Sequence, residues 1–264
     1  MAVRKDNLPM IPNNDDDMAS SLMQLASLND PKIWQEALKM MELMVGYKED
    51  RMVYTCAIKE IRTKFEVLDT EFNVRYQRNP INFITTRLKS NQSIVMKMAR
   101  KGIPFTIENM EKHVEDIAGI RIICSYVDDI YQLADSLLRQ DDVTLLARKD
   151  YIQEPKENGY RSLHLIVSVP VFFSNVTRQV PVEVQIRTIA MDFWASLEHQ
   201  MKYKQEIADE EHIIARLRQC ADRIAALDDE MLEIRKQIEA GKNMPTQEEL
   251  LLQKIRQLEV PIDT

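Results

Sequence analysis

Residues 179–188, QVPVEVQIRT, carry a carboxylate (Glu183), an amide (Gln185) and a guanidinium (Arg187) at alternate positions, about 7 Å apart along an extended chain. Val180, Val182, Val184 and Ile186 hold the other parity. Side chains alternate faces along a strand, so the pattern is a strand with one face in a core. A solvated outer face is ordinarily a mixture of Lys, Thr and Ser. A row of acid, amide and cation suits ligand binding and proton transfer instead.

A second group is cationic. Arg75, Arg78, Arg87, Lys89, Lys97, Arg100 and Lys101 lie between Phe72 and Ile107 with no Asp or Glu among them, in a chain of net charge −7. Lys89, Ser93, Lys97 and Arg100 recur at i, i+4, i+8 and i+11, one face of a helix. Such a row can clamp a polyphosphate through charge-assisted hydrogen bonds, and a solvated basic face is the competing reading.

Asp116 stands just ahead of the strand-like GIRIICSY, which contains Arg121. An Asp there is a turn or capping residue on the plain reading. On the functional one it is a Mg²⁺ ligand, because Mg²⁺ is usually held by one or two carboxylates plus substrate phosphates. Glu183 is the natural second carboxylate, and two acids beside a cationic helix are a minimal set for metal-assisted phosphoryl chemistry. The loop EPKENGYRSLH adds Lys156, Tyr160, Arg161 and His164. Gly159 can take positive φ and set Tyr160 at the mouth of a strand, where its ring either edges the core or stacks on a nucleobase. Ser162 and His164 lack the G-x-S-x-G surroundings of a hydrolase nucleophile. In IAMDFWASLEHQMKYK, the stripe Ala190, Phe193, Trp194, Leu197 and Met201 is assigned to the core. Asp192, Ser196, His199 and Tyr203 line the other side, where Asp192 could accept from the N–H groups of a guanine.

The elements that must position these groups follow from period and punctuation. Asp30-Pro31 is an N-cap with proline at the first helical position, opening a helix over about 31–45. A second helix over about 49–75 is broken by Asn79-Pro80, and a third over 91–101 ends at Gly102. Strands are expected near 119–126, 143–147, 161–169 and 179–188, with a helix over about 129–139 among them. Helices over about 189–204 and 209–240 follow, then a further piece opened by the capping box Thr246/Glu249. Strands clustered between helices make one α/β or α+β domain with a helical jacket. The organisation expected is a flexible extension over 1–30, a domain over 31–205 and a helical C-terminal extension over 206–264. Near-heptad spacing in the tail (Ile214, Leu217, Ala221, Ile224, then Leu227 and Met231) fits either pairing between subunits or packing on the chain's own domain.

Composition excludes several classes. With 29% charged and 45% hydrophobic residues, the 264-residue chain is an ordinary globular protein. Its acidic balance makes any phosphate site local. No apolar run approaches the ~20 residues of a membrane helix, and no signal peptide pattern opens the chain, so a cytoplasmic location is expected. Cys56, Cys124 and Cys220 form no CxxC pair and are expected as buried thiols; the four histidines lack zinc spacing. The five glycines include no GxGxxG or Walker loop, which leaves phosphate binding to basic side chains.

Taken together, RLKSNQSIVMKMAR, DIAGIRIICSYVDDIY, NGYRSLHLIV and VEVQIRTIAMDFWASLEHQ resemble the synthetase domain of RelA/SpoT-type proteins, over roughly residues 50–205. The absence of hydrolase-type and regulatory motifs makes the resemblance one to a stand-alone, RelQ-like small alarmone synthetase. It implies a mixed sheet of about five strands flanked by helices, related to nucleotidyltransferases, and a homotetramer. It also implies a reaction: transfer of the ATP pyrophosphoryl group to the 3′-hydroxyl of GTP or GDP, giving pppGpp or ppGpp plus AMP in the stringent response. Arg87 and Arg121 would sandwich adenine, and Lys89, Ser93, Lys97 and Arg100 would grip the ATP phosphates. Asp116 and Glu183 would hold Mg²⁺, with Glu183 also taking the 3′-hydroxyl proton. Tyr160 would stack on guanine, with Lys156 and His164 near the acceptor phosphates and Gln185, Asp192 and His199 completing that pocket. An allosteric (p)ppGpp at a subunit interface and single-stranded RNA are further partners of this kind of protein. A nucleotidyltransferase releasing pyrophosphate, and a non-catalytic nucleotide- or RNA-binding oligomer, stand as alternatives.

Overall fold

The computed structural model describes residues 31–104, 106–202 and 210–241. The chain divides into two compact units, 1–52 and 53–264. In the first, the described residues are helical, the opening part of α1 (Pro31–Tyr76). The extension over 1–30 and the capping box at Thr246 lie outside the described residues.

The helices expected over 31–45 and 49–75 are one. Gly46 sits inside it, a residue that weakens a helix by about 1 kcal/mol without breaking it. From Val53 onward Ala57, Ile61, Phe65, Leu68 and Phe72 are buried at helical spacing, which drives this stretch onto the core. Gln77 leaves the helix at φ 53°.

The second unit is built on a five-stranded sheet in the order β1-β2-β5-β4-β3. The strands are β1 (Ile81–Leu88), β2 (Ala118–Cys124), β3 (Thr144–Asp150), β4 (Leu163–Phe172) and β5 (Thr177–Thr188). Only β2 and β5 run parallel; the other pairs are antiparallel. The mixed sheet implied by the family resemblance is therefore present. β1 is the strand that periodicity missed. It lies at the sheet edge with most of its residues exposed, so little alternation is imposed on its sequence.

One face of the sheet is apolar and closed. Ile120, Ile122, Leu163, Leu165, Val167, Val182, Val184 and Ile186 are buried there, in one cluster with Ile130, Leu133 and Leu137 of α4 (Val127–Leu138). The opposite parity faces the other way: Gly119 pairs with Glu183, Arg121 with Gln185 and Ile123 with Arg187 across β2 and β5. His164 lies beside Gln185 across β4 and β5.

Two short helices bridge β1 and β2. α2 (Asn91–Arg100) is capped by Ser90, whose hydroxyl accepts from the Ser93 N–H, and α3 (Ile107–His113) by Thr106 in the same way. Gly102, at φ +66°, ends α2, with the Ile103 N–H bonded back to the Met98 carbonyl at 3.0 Å. α3 carries no long apolar period and was not foreseen.

After β5 come α5 (Ile189–Lys202) and α6 (Glu210–Gly241). The core side of α5 corrects the expected stripe. Met191, Trp194 and Ala195 are buried, while Phe193, Leu197 and Met201 are exposed; spacing shows a stripe but not which flank the sheet covers. α6 packs on its own domain: Leu217, Ala221 and Ile224 join Trp194 and Ala195 in a second small core, while Leu227 and Met231 are exposed. The cysteines also divide. Cys124 is buried, Cys56 half-buried and Cys220 exposed, because Cys220 lies just beside the packed stripe of α6.

Candidate active site

The polar face of β5 is the floor of the site. Val180, Val182, Val184 and Ile186 are locked in the core, so Glu183, Gln185 and Arg187 are held rigidly on the other side. Arg187 is only 2% exposed. Its Nη2 donates to the Tyr160 hydroxyl at 3.0 Å and to Gln185 Oε1 at 2.9 Å, and its Nη1 to Asp192 Oδ1 at 3.3 Å. Gln185 Nε2 then donates to Glu183 Oε2 at 2.9 Å. On the other arm, the Tyr160 hydroxyl lies 2.9 Å from His164 Nε2, and His164 Nδ1 lies 3.5 Å from Glu183 Oε1.

Donor chemistry orders this ring. A guanidinium only donates, so Tyr160 accepts from Arg187, while the sense of its contact with His164 Nε2 follows the imidazole tautomer. Both arms start at Arg187 and end on the two oxygens of one carboxylate.

Burial by itself pushes the Glu183 carboxyl up. The hydrogen bonds and charge of His164 and the Gln185 hydrogen bond outweigh that and hold it below the ordinary Glu range. The nearby Asp116 charge acts in the opposite sense, so the two carboxylates share one electrostatic neighbourhood. Burial raises the Tyr160 hydroxyl despite the opposing Arg187 charge, keeping it a protonated donor.

Asp116, in the turn before β2, forms ion pairs with Lys89 at 2.6 Å and Lys97 at 2.8 Å. Burial pushes its carboxyl up, but the two lysines prevail and leave it below the usual Asp range. Lys89 is not on the helix: it follows β1, with its N–H bonded to the Ile117 carbonyl at 2.8 Å. The helical face is thus Ser93, Lys97 and Arg100 alone, and tertiary structure brings Lys89 back beside Lys97. Ser93 Oγ lies 2.9 Å from Ser90 Oγ, and exposed Arg100 donates to the Met96 carbonyl rather than joining the Asp116 pair.

Arg87 and Arg121 share a face. Arg87 pairs across the sheet with Gly119 and Arg121 with Thr85, a diagonal relation that leaves the two guanidiniums about 7–8 Å apart at their Cα atoms. Gly119 puts no side chain between Arg87 and Glu183, its two lateral neighbours. Arg121 Nη1 lies 3.5 Å from Asp192 Oδ1. The buried Nε atoms of Arg121 and Arg187 have no hydrogen-bond partner among the described residues.

Gly159 does take positive φ, at +90°. Tyr160 leads into β4 and meets Tyr151 edge-on at 6.0 Å between centroids. Lys156 Nζ sits 4.8 Å from the Tyr160 ring and 4.7 Å from the Tyr151 ring. The ring is also packed against the small core of Trp194 and Ala221, as the core-edge reading expects. His199 is exposed, two turns along α5 from Asp192, which places it about 10 Å away along the helix. Arg161 instead binds Asp222 of α6 at 3.0 Å, and Ser162 is buried and donates to the Ile186 carbonyl at 3.3 Å.

Sequence reasoning left Arg187 outside the chosen set, although its parity matches Glu183 and Gln185. Tyr151 gave no signal, because its loop has no period.

Among the described residues no group of three or more His, Cys, Asp or Glu is placed to hold a metal. Asp116 and Glu183 offer only oxygen donors, the donor chemistry that suits Mg²⁺ completed by phosphate oxygens and not a structural zinc.

The profile of the region found in RelA/SpoT proteins matches residues 86–208, which takes in the last residues of β1 and everything from there through α5. The chain is 44% identical over 197 residues to GTP pyrophosphokinase YwaC of Bacillus subtilis, covering 75% of this chain and 94% of that protein. It belongs to the RelA/SpoT family. GTP pyrophosphokinase YjbM of the same organism is 40% identical over 72% of this chain and 88% of its own length. Among RelA/SpoT structures, small alarmone synthetase 1 of B. subtilis bound to its product pppGpp superposes with a TM-score of 0.66 at 38% identity, over 74% of this chain and 98% of that one. Small alarmone synthetase 2 gives the same score at 43% identity, over 73% and 99%. The RelA/SpoT region therefore spans every residue of the Arg187 ring and the Asp116 pair.

Proposed function

We propose that the Glu183 ring and the Asp116 lysine pair are the two halves of a (p)ppGpp synthetase site. The chain is a GTP pyrophosphokinase: it moves the pyrophosphoryl group of ATP to the 3′-hydroxyl of GTP or GDP and releases AMP. The observation that carries the assignment of residues is one ionised carboxylate, Glu183, fixed at both oxygens by His164 and Gln185 and lying within the field of Asp116.

In this reading Arg87 and Arg121 take the adenine between their guanidinium planes, and Lys89, Ser93, Lys97 and Arg100 neutralise the ATP phosphates. Tyr160 carries guanine, with Lys156 and His164 at the acceptor phosphates and Gln185, Asp192 and His199 around its base and ribose. Asp116 and Glu183 would hold Mg²⁺, which when bound supplies charge neutralisation on the transferring phosphates.

The 3′-oxygen of the acceptor attacks the β-phosphorus of ATP. The new O–P bond forms as the bond from the bridging oxygen to the β-phosphorus breaks, and AMP leaves with that electron pair. Glu183, held ionised, takes the hydroxyl proton as the bond forms. Its pKa lies far below that of a ribose hydroxyl, so the proton moves with attack, not before it. Alignment and preorganised cations supply most of the acceleration. A homotetramer working in the cytoplasm in the stringent response, with an alarmone or single-stranded RNA as effector, completes the proposal.

Incubation with ATP, GTP and Mg²⁺ tests it. AMP and pppGpp as products support it, and release of pyrophosphate would identify a nucleotidyltransferase instead. Glu183→Gln should abolish turnover while ATP binding is largely kept. Unchanged activity in that variant would remove Glu183 from the chemistry.

A further inference from the structure

The contacts of α6 converge on one side of the site. The Leu217 carbonyl accepts from Trp194 Nε1 at 3.1 Å, two residues after Asp192. Ala221 lies so close to Gly159 that a Cβ there would stand 2.6 Å from the Ala221 methyl and 3.0 Å from Arg218 Cα, one residue before Tyr160. Asp222 binds Arg161, one residue after it. The fourth contact is buried: Thr188 Oγ1 donates to Asp228 Oδ2 at 2.6 Å, with Thr188 fully buried and Asp228 8% exposed.

Thr188 is the hinge between β5 and α5. Its hydroxyl also accepts from the Met191 N–H at 3.1 Å, capping α5 at its first turn. Only one hydroxyl proton exists, so donation to Asp228 fixes the rotamer that leaves a lone pair for the cap. On either side of this hinge stand Arg187, the last residue of β5 on the polar face, and Asp192, on the first turn of α5, which are bonded to each other at 3.3 Å. A buried carboxylate costs stability to place, and what its hydroxyl partner returns is the fixed cap of α5.

We propose that α6 is an integral part of the acceptor half of the site and that Asp228 is a positioning residue, acting through Thr188 to set Asp192 and Arg187 for the acceptor nucleotide. This rests on the reading of Tyr160, Gln185 and Asp192 as the acceptor pocket. The ATP side is built from β1, α2, the turn before β2 and Arg121 of β2, which meets Asp192 only at 3.5 Å and keeps its place in the sheet without it, so the effect falls mainly on the acceptor.

The test is steady-state kinetics with each substrate varied, together with calorimetric GDP binding, on the full chain and on Asp228→Ala, Asp228→Asn, Thr188→Val and Thr188→Ser. Loss of one such hydrogen bond corresponds to about a tenfold change. Asp228→Ala and Thr188→Val should raise the acceptor KM and the GDP dissociation constant by about that factor, with the ATP KM within about twofold of wild type. Asp228→Asn keeps an acceptor and Thr188→Ser keeps the hydroxyl, so both should recover most of the loss. Equal shifts in both KM values, or a lower melting temperature with both KM values unchanged, would overturn the proposal and make α6 a general brace. If Asp228→Ala does not fold, the Thr188→Val and Thr188→Ser pair decides it. If the wild type releases no AMP, the pyrophosphotransfer reading falls, while GDP binding across the same variants still decides the role of α6.

Discussion

Replacing Arg187 by methionine removes the hub from which both arms to Glu183 start. Arg187 makes three hydrogen bonds, to Tyr160, Gln185 and Asp192, and is 2% exposed. Breaking a buried charged pair costs about 3–5 kcal/mol, because the surviving partner is left uncompensated. Asp192 retains Arg121 at 3.5 Å, so the lower figure applies, about 3 kcal/mol. For a domain of this size that is a fall of roughly 6–12 °C in the melting temperature. Turnover should fall at least about tenfold, since the His164 and Gln185 arms that aim both Glu183 oxygens lose their anchor. Arg187→Lys should lie between, because one ammonium cannot span three acceptors. Calorimetry and AMP release measure the two effects. Adding Tyr160→Phe to Arg187→Met should cost less than it does in the wild type, since that arm is already cut. A methionine variant melting within about 2 °C of wild type with full turnover would refute the hub, because about 3 kcal/mol cannot hide in so small a shift.

Acid should expose the two carboxylates. Asp116 and Glu183 both titrate lower in the folded protein than in the unfolded chain. Their stabilisation is therefore complete above about pH 4.5 and lost as pH falls through the folded values. A melting curve series from neutral to about pH 3 should show less acid destabilisation in Glu183→Gln than in wild type; identical slopes would mean that Glu183 is not depressed. Gly159→Ala combines positive φ with a contact at 2.6 Å. It should lower the melting temperature and weaken GDP binding, and a neutral outcome by calorimetry would mean that α6 does not lie against this loop. With a thiol reagent, Cys220 should react in the native protein, whereas Cys124, buried and with its thiol pushed up by that burial, should wait for unfolding. Peptide mapping distinguishes them.

Much of the site was legible because chemistry and period coincide in β5. Alternation there requires that Glu183 and Gln185 share a face, and the same parity includes Arg187, which stood outside the chosen set. Gly159 could be read as a positive-φ turn and Gly102 as a helix end for the same reason: backbone geometry that only a few residues tolerate is written locally. The family motifs added roles that period could not supply.

What local pattern determined, then, is which residues lie on a common strand face, where helices end and which groups are chemically suited to phosphate and proton transfer. Tertiary structure alone decided that Lys89, outside the helix, joins Lys97 on Asp116, and that β1 completes the sheet as an exposed edge. It alone turned Met191 and Trp194 of α5 inward and laid α6 against Thr188 and Gly159. The physical reason is the range of the forces involved. Alternation and capping act within a few residues, whereas an ion pair such as Lys89–Asp116, or a buried bond such as Thr188–Asp228, joins groups 27 and 40 residues apart and exists only once the core has closed around the sheet.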